Sequence, residues 1–302
     1  MGDISLSRAL EEYKEVYLAS RNYSQRTRVE YLNDIEDLIH FLQQLGLKDA
    51  KDIGLPQLER YLAELDHRGN AGSTRKRKVI SIRSFLWYLC QERYIRVDLA
   101  KKLIPPFSET RSIRYLTGVE YERLLGAASC NHRDYALLQL LLQTGIKLLE
   151  LTRLTTNDVD LSPSQSISDS GFLRISRSES KGARTISLNF IASNALRNFL
   201  KERSITKNMS LFANRFGEPL GSRGVEKILK KYLDRVGIMK ANIQSLRHTF
   251  GVYQIANGVD PATIQEIMGN KSPQSILPYI AVVREMKYEL LDIRLPNISR
   301  EE

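Results

Sequence analysis

Gln244-Ser245-Leu246-Arg247-His248-Thr249-Phe250 sets an arginine and a histidine side by side at the head of an apolar helical run. Downstream come Ile267-Met268-Gly269-Asn270 and, nine residues after Asn270, Tyr279; upstream stands Thr144-Gly145-Ile146-Lys147-Leu148-Leu149-Glu150-Leu151. Arg247 offers a planar fork of donors that can hold a phosphate through two oxygens. A tyrosine hydroxyl is a nucleophile able to form a covalent intermediate. Taken singly, each residue has an ordinary structural role. The chain holds 14 tyrosines, most of which must be core or surface. A lone arginine is more often a surface ion pair, and a glycine after Thr144 is more often a plain helix stop. Phosphodiester cleavage by a tyrosine needs such groups together: a nucleophile held in line, cations around the non-bridging oxygens and a proton donor for the leaving oxygen.

The charge of the chain agrees. Its 302 residues carry 45 Lys+Arg against 35 Asp+Glu, a net charge of +10, which makes a polyanion, either nucleic acid or an acidic membrane surface, the leading partner, although many basic proteins bind neither. The charge is unevenly divided, net +2 over 1–110 and net +8 over 111–302. The most apolar run, Ala136 to Leu142, is broken by Gln139 and is too short to span a bilayer, which excludes membrane insertion. The N-terminus runs into Glu11, Glu12 and Glu15 and does not read as a signal peptide. Two cysteines and four histidines, none paired at metal-ligand spacing, predict a cytoplasmic protein that needs no metal.

Leu103-Ile104-Pro105-Pro106-Phe107-Ser108 contains a Pro-Pro pair that no helix crosses, so it predicts a linker over 105–114 between domains 1–104 and 115–302. The first domain reads as four helices. Leu6, Leu10, Tyr13 and Tyr17 share one helical face. Ser24 caps a second helix that stops at Gly46. Leu58 to Leu65 forms a third, and Ser73 or Thr74 caps a fourth over Ile80 to Tyr94, burying Ile80, Ile82, Phe85, Leu86 and Leu89, with Trp87 also in the core. Arg75, Lys76, Arg77 and Lys78, followed by Arg83, gather cations at the start of that helix. This is either a phosphate-binding surface or a solvated basic face. The second domain mixes helices at Val119–Ala128, Tyr135–Gln143 and Leu148–Leu154 with strands around Phe172–Ile175 and Thr185–Leu188, joined by a turn at Ser180-Lys181-Gly182. The fold class is mainly α, with a four-helix N-terminal domain and an α-rich α+β domain holding a small antiparallel sheet.

These motifs resemble the tyrosine recombinase family, which includes phage integrases and Xer-like proteins. That family has TG-x-R-x-x-E-L, a lysine in a β-hairpin, H-x-L-R-H-T-F, then L-G-H and a tyrosine nine residues on. The resemblance covers nearly the whole chain, and the first domain is similar to the family's core-binding, SAM-like domain. It implies that Tyr279 attacks duplex DNA to give a 3′-phosphotyrosyl link. Because that link conserves bond energy, neither ATP nor another cofactor is required. It further implies that Arg247 holds the phosphate, that His248 supports the site and accepts a hydrogen bond, and that Glu150 orients the catalytic helix. Lys181, at the hairpin tip, would protonate the leaving 5′-oxygen. Counting back from Ile186-Ser187-Leu188 puts the usual lysine place on Glu179, so Lys181 requires a hairpin shorter by two residues. The partners implied are double-stranded DNA recombination sites and three further copies of the chain, in a homo-tetramer whose C-terminal tails, with Tyr288, Leu290, Leu291 and Leu295, dock on neighbouring protomers.

Three positions depart from the family pattern. Lys147 stands for its first arginine, Gln244 for the histidine of H-x-L-R, and Asn270 for the histidine of L-G-H. Gln244 and Asn270 still donate hydrogen bonds. Lysine keeps the charge but is a point donor. Losing one preorganised contact typically costs about 2.7–4 kcal/mol, roughly 10²–10³ in rate. Two readings therefore stand beside each other: a recombinase slowed at Lys147, and a DNA-binding regulator or accessory protein that keeps the fold without cleavage. A weaker third is a topoisomerase-like relaxing activity without exchange.

Overall fold

Hydrogen-bonding side chains at the helix starts and left-handed residues at their ends set most element boundaries. The structure, a computed structural model, describes residues 3–106, 112–161, 171–176, 183–203 and 209–292, with side chains through 286. Its contacts divide the chain into Met1–Arg111 and Ser112–Glu302.

In the first unit, α1 (Leu6–Glu12) runs into a π-helical turn, Tyr13–Leu18. The wider turn shifts the buried face, so Leu18 is buried while Leu10 and Tyr17, expected on that face, are only partly so. α2 (Gln25–Gln44) is capped by Ser24, whose Oγ accepts from the Thr27 N–H at 3.2 Å. α3 (Leu55–His67), α4 (Gly72–Gln91) and the one-turn α5 (Leu99–Lys102) complete the unit. Tyr13, Leu38, Tyr61, Phe85 and Leu89 form its core. Three expectations need correction. α4 begins at Gly72 after Ala71, so Ser73 and Thr74 lie inside its first turn and do not cap it. Ile80 is 47% exposed, and its neighbour Val79 is the buried residue. Trp87 is 38% exposed and lies beside Tyr17 and Arg21, at the edge of the core.

In the second unit, α6 (Gly118–Ala128) starts at a reciprocal cap between Thr117 and Glu120. α7 (His132–Thr144) is buried on nearly every side and ends at Gly145, which is left-handed. α8 (Leu148–Arg153) follows directly. β1 (Val159–Asp160), β2 (Gly171–Ile175) and β3 (Arg184–Leu188) form an antiparallel sheet in that order, with Leu173 opposite Ile186 and Ile175 opposite Arg184. β1 was not legible as a strand, since two residues carry no alternation. The turn expected at Ser180-Lys181-Gly182, and with it Glu179, lies outside the described residues. α9 (Phe190–Glu202), α10 (Ser222–Val236), α11 (Ile243–Ala256), α12 (Pro261–Met268) and α13 (Leu277–Asp292) follow. Asp260 caps α12 by accepting from the Thr263 N–H, with Gly258 left-handed just ahead. A main core gathers α7, the sheet and α9. A second apolar cluster joins α11, α12 and α13 through Phe250, Ile264, Met268, Ile276, Tyr279 and Val283. Among the described residues, no helix is long and apolar enough to cross a membrane.

Candidate active site

α11 carries Gln244, Arg247 and His248 on its first two turns, and Asn242 caps it by accepting from the Ser245 N–H at 3.0 Å. Arg247 points inward and is 5% exposed. One of its nitrogens donates to the Gly145 carbonyl; the other donates to the Met268 carbonyl and to Asn270 Oδ1, each at 2.7 Å. Burial pushes the arginine's pKa below its usual value, against the opposing pull of Tyr279 and Glu150. A guanidinium starts so high that it keeps its charge.

Lys147 ends the turn that Gly145 begins. Its Nζ donates to the Gly269 carbonyl at 2.8 Å, and its backbone N–H donates to Glu150 Oε2 at 2.9 Å. Glu150 is buried, which alone would raise its pKa. The two bonds it takes from Arg184, at 2.9 and 2.8 Å, and the Lys147 N–H outweigh burial and hold it ionised below the usual range.

Tyr279 lies in the first turn of α13, with its ring against Gly251 and only 3% exposed. Its hydroxyl is 3.1 Å from His248 Nδ1. Burial raises the phenol's pKa, partly offset by Arg247, so the group is protonated at neutral pH. Burial, then the neighbouring Arg247 charge, lowers the pKa of His248, so its ring is neutral there. A neutral imidazole with its proton on Nε2 leaves Nδ1 to accept from the phenol. The site thus pairs an un-ionised phenol with a ready acceptor.

The structure brings together Lys147, Glu150, Arg247, His248, Asn270 and Tyr279. Gln244 is exposed at the start of α11 and lines, with Lys147, Arg247, Lys230 and Lys240, a groove of about 630 Å³. Lys181 lies outside the described residues. The N-terminal cations are spoken for to differing degrees. Arg77 forks onto Asp34 at 2.6 and 3.0 Å, and Lys78 reaches Asp37 at 2.8 Å. Arg75 pairs with Asp66 at 2.7 Å, and Arg83 Nε donates to the Leu103 carbonyl at 2.9 Å. Lys76 is exposed. The residue that sequence reasoning passed over is Arg184; an arginine opening an apolar strand was the available signal. Among the described residues, no group of three or more His, Cys, Asp and Glu side chains is placed to hold a metal ion.

Cations fixed around one point, with a buried phenol and its proton acceptor beside them, make an arrangement suited to a phosphodiester. The class it defines is a DNA-cleaving enzyme with a tyrosine nucleophile. Comparison with known proteins narrows the class. The phage integrase family profile matches residues 114–286, and the profile of the phage integrase N-terminal SAM-like domain matches 10–93. The tyrosine recombinase XerC of Pelotomaculum thermopropionicum is 32% identical over 290 residues, covering 89% of this chain and 92% of that protein. A lambda integrase tetramer bound to a Holliday junction superposes with a TM-score of 0.75 at 19% identity, covering 92% of this chain and 78% of that one. The XerH recombinase in a post-cleavage complex with palindromic difH gives a TM-score of 0.74 at 19% identity, covering 95% and 85%. The chain belongs to the phage integrase family and is a tyrosine-type site-specific DNA recombinase.

Proposed function

We propose that the chain cleaves and rejoins duplex DNA at specific sites through Tyr279, with Arg247, Lys147, Asn270 and Gln244 holding the scissile phosphate. The observation that carries this reading is the 3.1 Å approach of the Tyr279 hydroxyl to His248 Nδ1, one residue from Arg247. In the cleavage step the phenol oxygen bonds to phosphorus while His248 takes its proton. The bond from phosphorus to the 5′-oxygen breaks, and that oxygen gains a proton from Lys181, which lies between β2 and β3 in sequence. Arg247 and Lys147 oppose the charge that builds on the non-bridging oxygens. Asn270, whose carbonyl oxygen receives Arg247, has its NH₂ to offer to a phosphate oxygen. The 3′-phosphotyrosyl link is as energetic as the bond it replaces, so rejoining needs no nucleotide or metal.

The lambda integrase assembly is a tetramer on a Holliday junction. We infer the same order here: four copies on two duplexes, exchanging one strand pair at a time, with the C-terminal tail seated on a neighbour. The full constellation of buried and hydrogen-bonded groups favours this over a regulator without cleavage. The test is a nicked duplex that traps cleavage, carrying a site selected from a random pool by binding. The expected product is a covalent adduct whose phosphopeptide maps to Tyr279 and is absent from Tyr279→Phe. No adduct from a protein that binds the site tightly would favour the regulator.

A further inference from the structure

We propose that Arg184 is a positioning residue of the cleavage reaction, holding both phosphate-directed cations, Lys147 and Arg247, in place without touching DNA. This rests on the function proposed above. Arg184 opens β3 and its side chain is 12% exposed. It spends its donors on two elements at once. Nη1 and Nη2 fork onto Glu150 at 2.9 and 2.8 Å, while Nε donates to the Ile267 carbonyl at 2.8 Å.

Each of those partners leads to a cation of the site. Glu150 Oε2 also accepts the Lys147 N–H, which fixes the backbone from which Lys147 projects. Ile267 is the first of three successive residues whose carbonyls receive cations. Arg184 takes Ile267, Arg247 takes Met268, and Lys147 takes Gly269. They are the last two carbonyls of α12 and that of its cap residue Gly269, where the helix leaves acceptors unpaired and carries partial negative charge. The fit is close: a Cβ on Gly269 would stand 2.7 Å from Arg184 Nη1 and 2.8 Å from its Cζ. The guanidinium thus lies flat against the turn from which Lys147 and Arg247 are held. A lysine could not make the fork to Glu150 and the third bond to α12 together. If the clamp is lost, Lys147 and Arg247 keep their charge and lose their register. Misplacement of about 1 Å can cost roughly 10²-fold in rate.

A buried ion pair could instead serve stability alone, and the test separates the two roles. Arg184→Lys and Arg184→Gln are compared with the parent on trapping duplexes carrying a normal phosphate or a neutral methylphosphonate at the cleavage point. The neutral substrate asks less of the cations. The proposal expects near-parental DNA affinity, about a 10²-fold slower adduct rate on phosphate, and a much smaller loss on methylphosphonate. Equal losses on both substrates, full activity, or full rescue by Arg184→Lys would overturn it. A second measurement does not need activity: hydrogen exchange of the Lys147 amide should quicken in Arg184→Gln while amides of α7 stay protected. An unchanged Lys147 amide would overturn the proposal. A parent that makes no adduct would count against the proposed function, leaving Arg184 to be decided by exchange.

Discussion

Tyr279 stands against α11 because Gly251 leaves room for its ring. A Cβ there would lie 2.8 Å from Tyr279 Cε2 and 2.9 Å from Cδ2. Gly251→Ala should gain about 1 kcal/mol of helix propensity and lose about 1–3 kcal/mol to overpacking, a net destabilisation seen in urea unfolding. It should also slow adduct formation, because the displaced ring leaves His248. Unchanged stability and rate would show that the ring is free to move. The partnership with His248 carries a pH signature. The ring's pKa is pushed below the ordinary value, about 6.5, so Nδ1 is available at neutral pH. The acid limb of the cleavage rate should therefore lie below about pH 6.5, and an acid limb above that value would contradict the assignment. The same shift has a stability sign. The unfolded chain takes up the proton first, so this residue costs stability as pH falls below its unfolded pKa.

At the scale of elements, α2 and α4 show where sequence reading succeeds and where it stops. The cap of α2, the stop at Gly145 and the two long strands were legible, because each is dictated by neighbours in sequence. The candidate grouping could be proposed from sequence because family spacing encodes it. Arg184 was not, since its role depends on Glu150 and Ile267, which only the fold brings to it. The basic run of α4 meets the same limit. Asp34 is 2% exposed on α2, and Arg77, Lys78 and Ser81 converge on it. Nothing local to residues 75–78 announces that carboxylate. Arg77→Ala should cost about 1–3 kcal/mol of stability by leaving a buried acceptor short of a partner. Lys76→Ala should leave stability unchanged and lower the salt dependence of DNA binding by about one phosphate contact. Equal effects of the two on stability would show that the ion-pair network contributes nothing.

Across the whole molecule, the excess charge is concentrated in residues 111–302, the part that holds the candidate site, while 1–110 is nearly balanced. One part is thus biased toward the polyanion it must cut, and the other places much of its charge in internal pairs. In the proposed reaction the weak point is Lys147, a point charge where the family pattern has an arginine, tied to the Gly269 carbonyl after α12. The most direct measurement is the single-turnover rate of adduct formation for the parent, Lys147→Arg and Tyr279→Phe on one trapping duplex. The account predicts a measurable parental rate, a faster rate in Lys147→Arg by up to about 10²-fold, and none in Tyr279→Phe. An adduct that persists in Tyr279→Phe, or none in either of the other two, would contradict it.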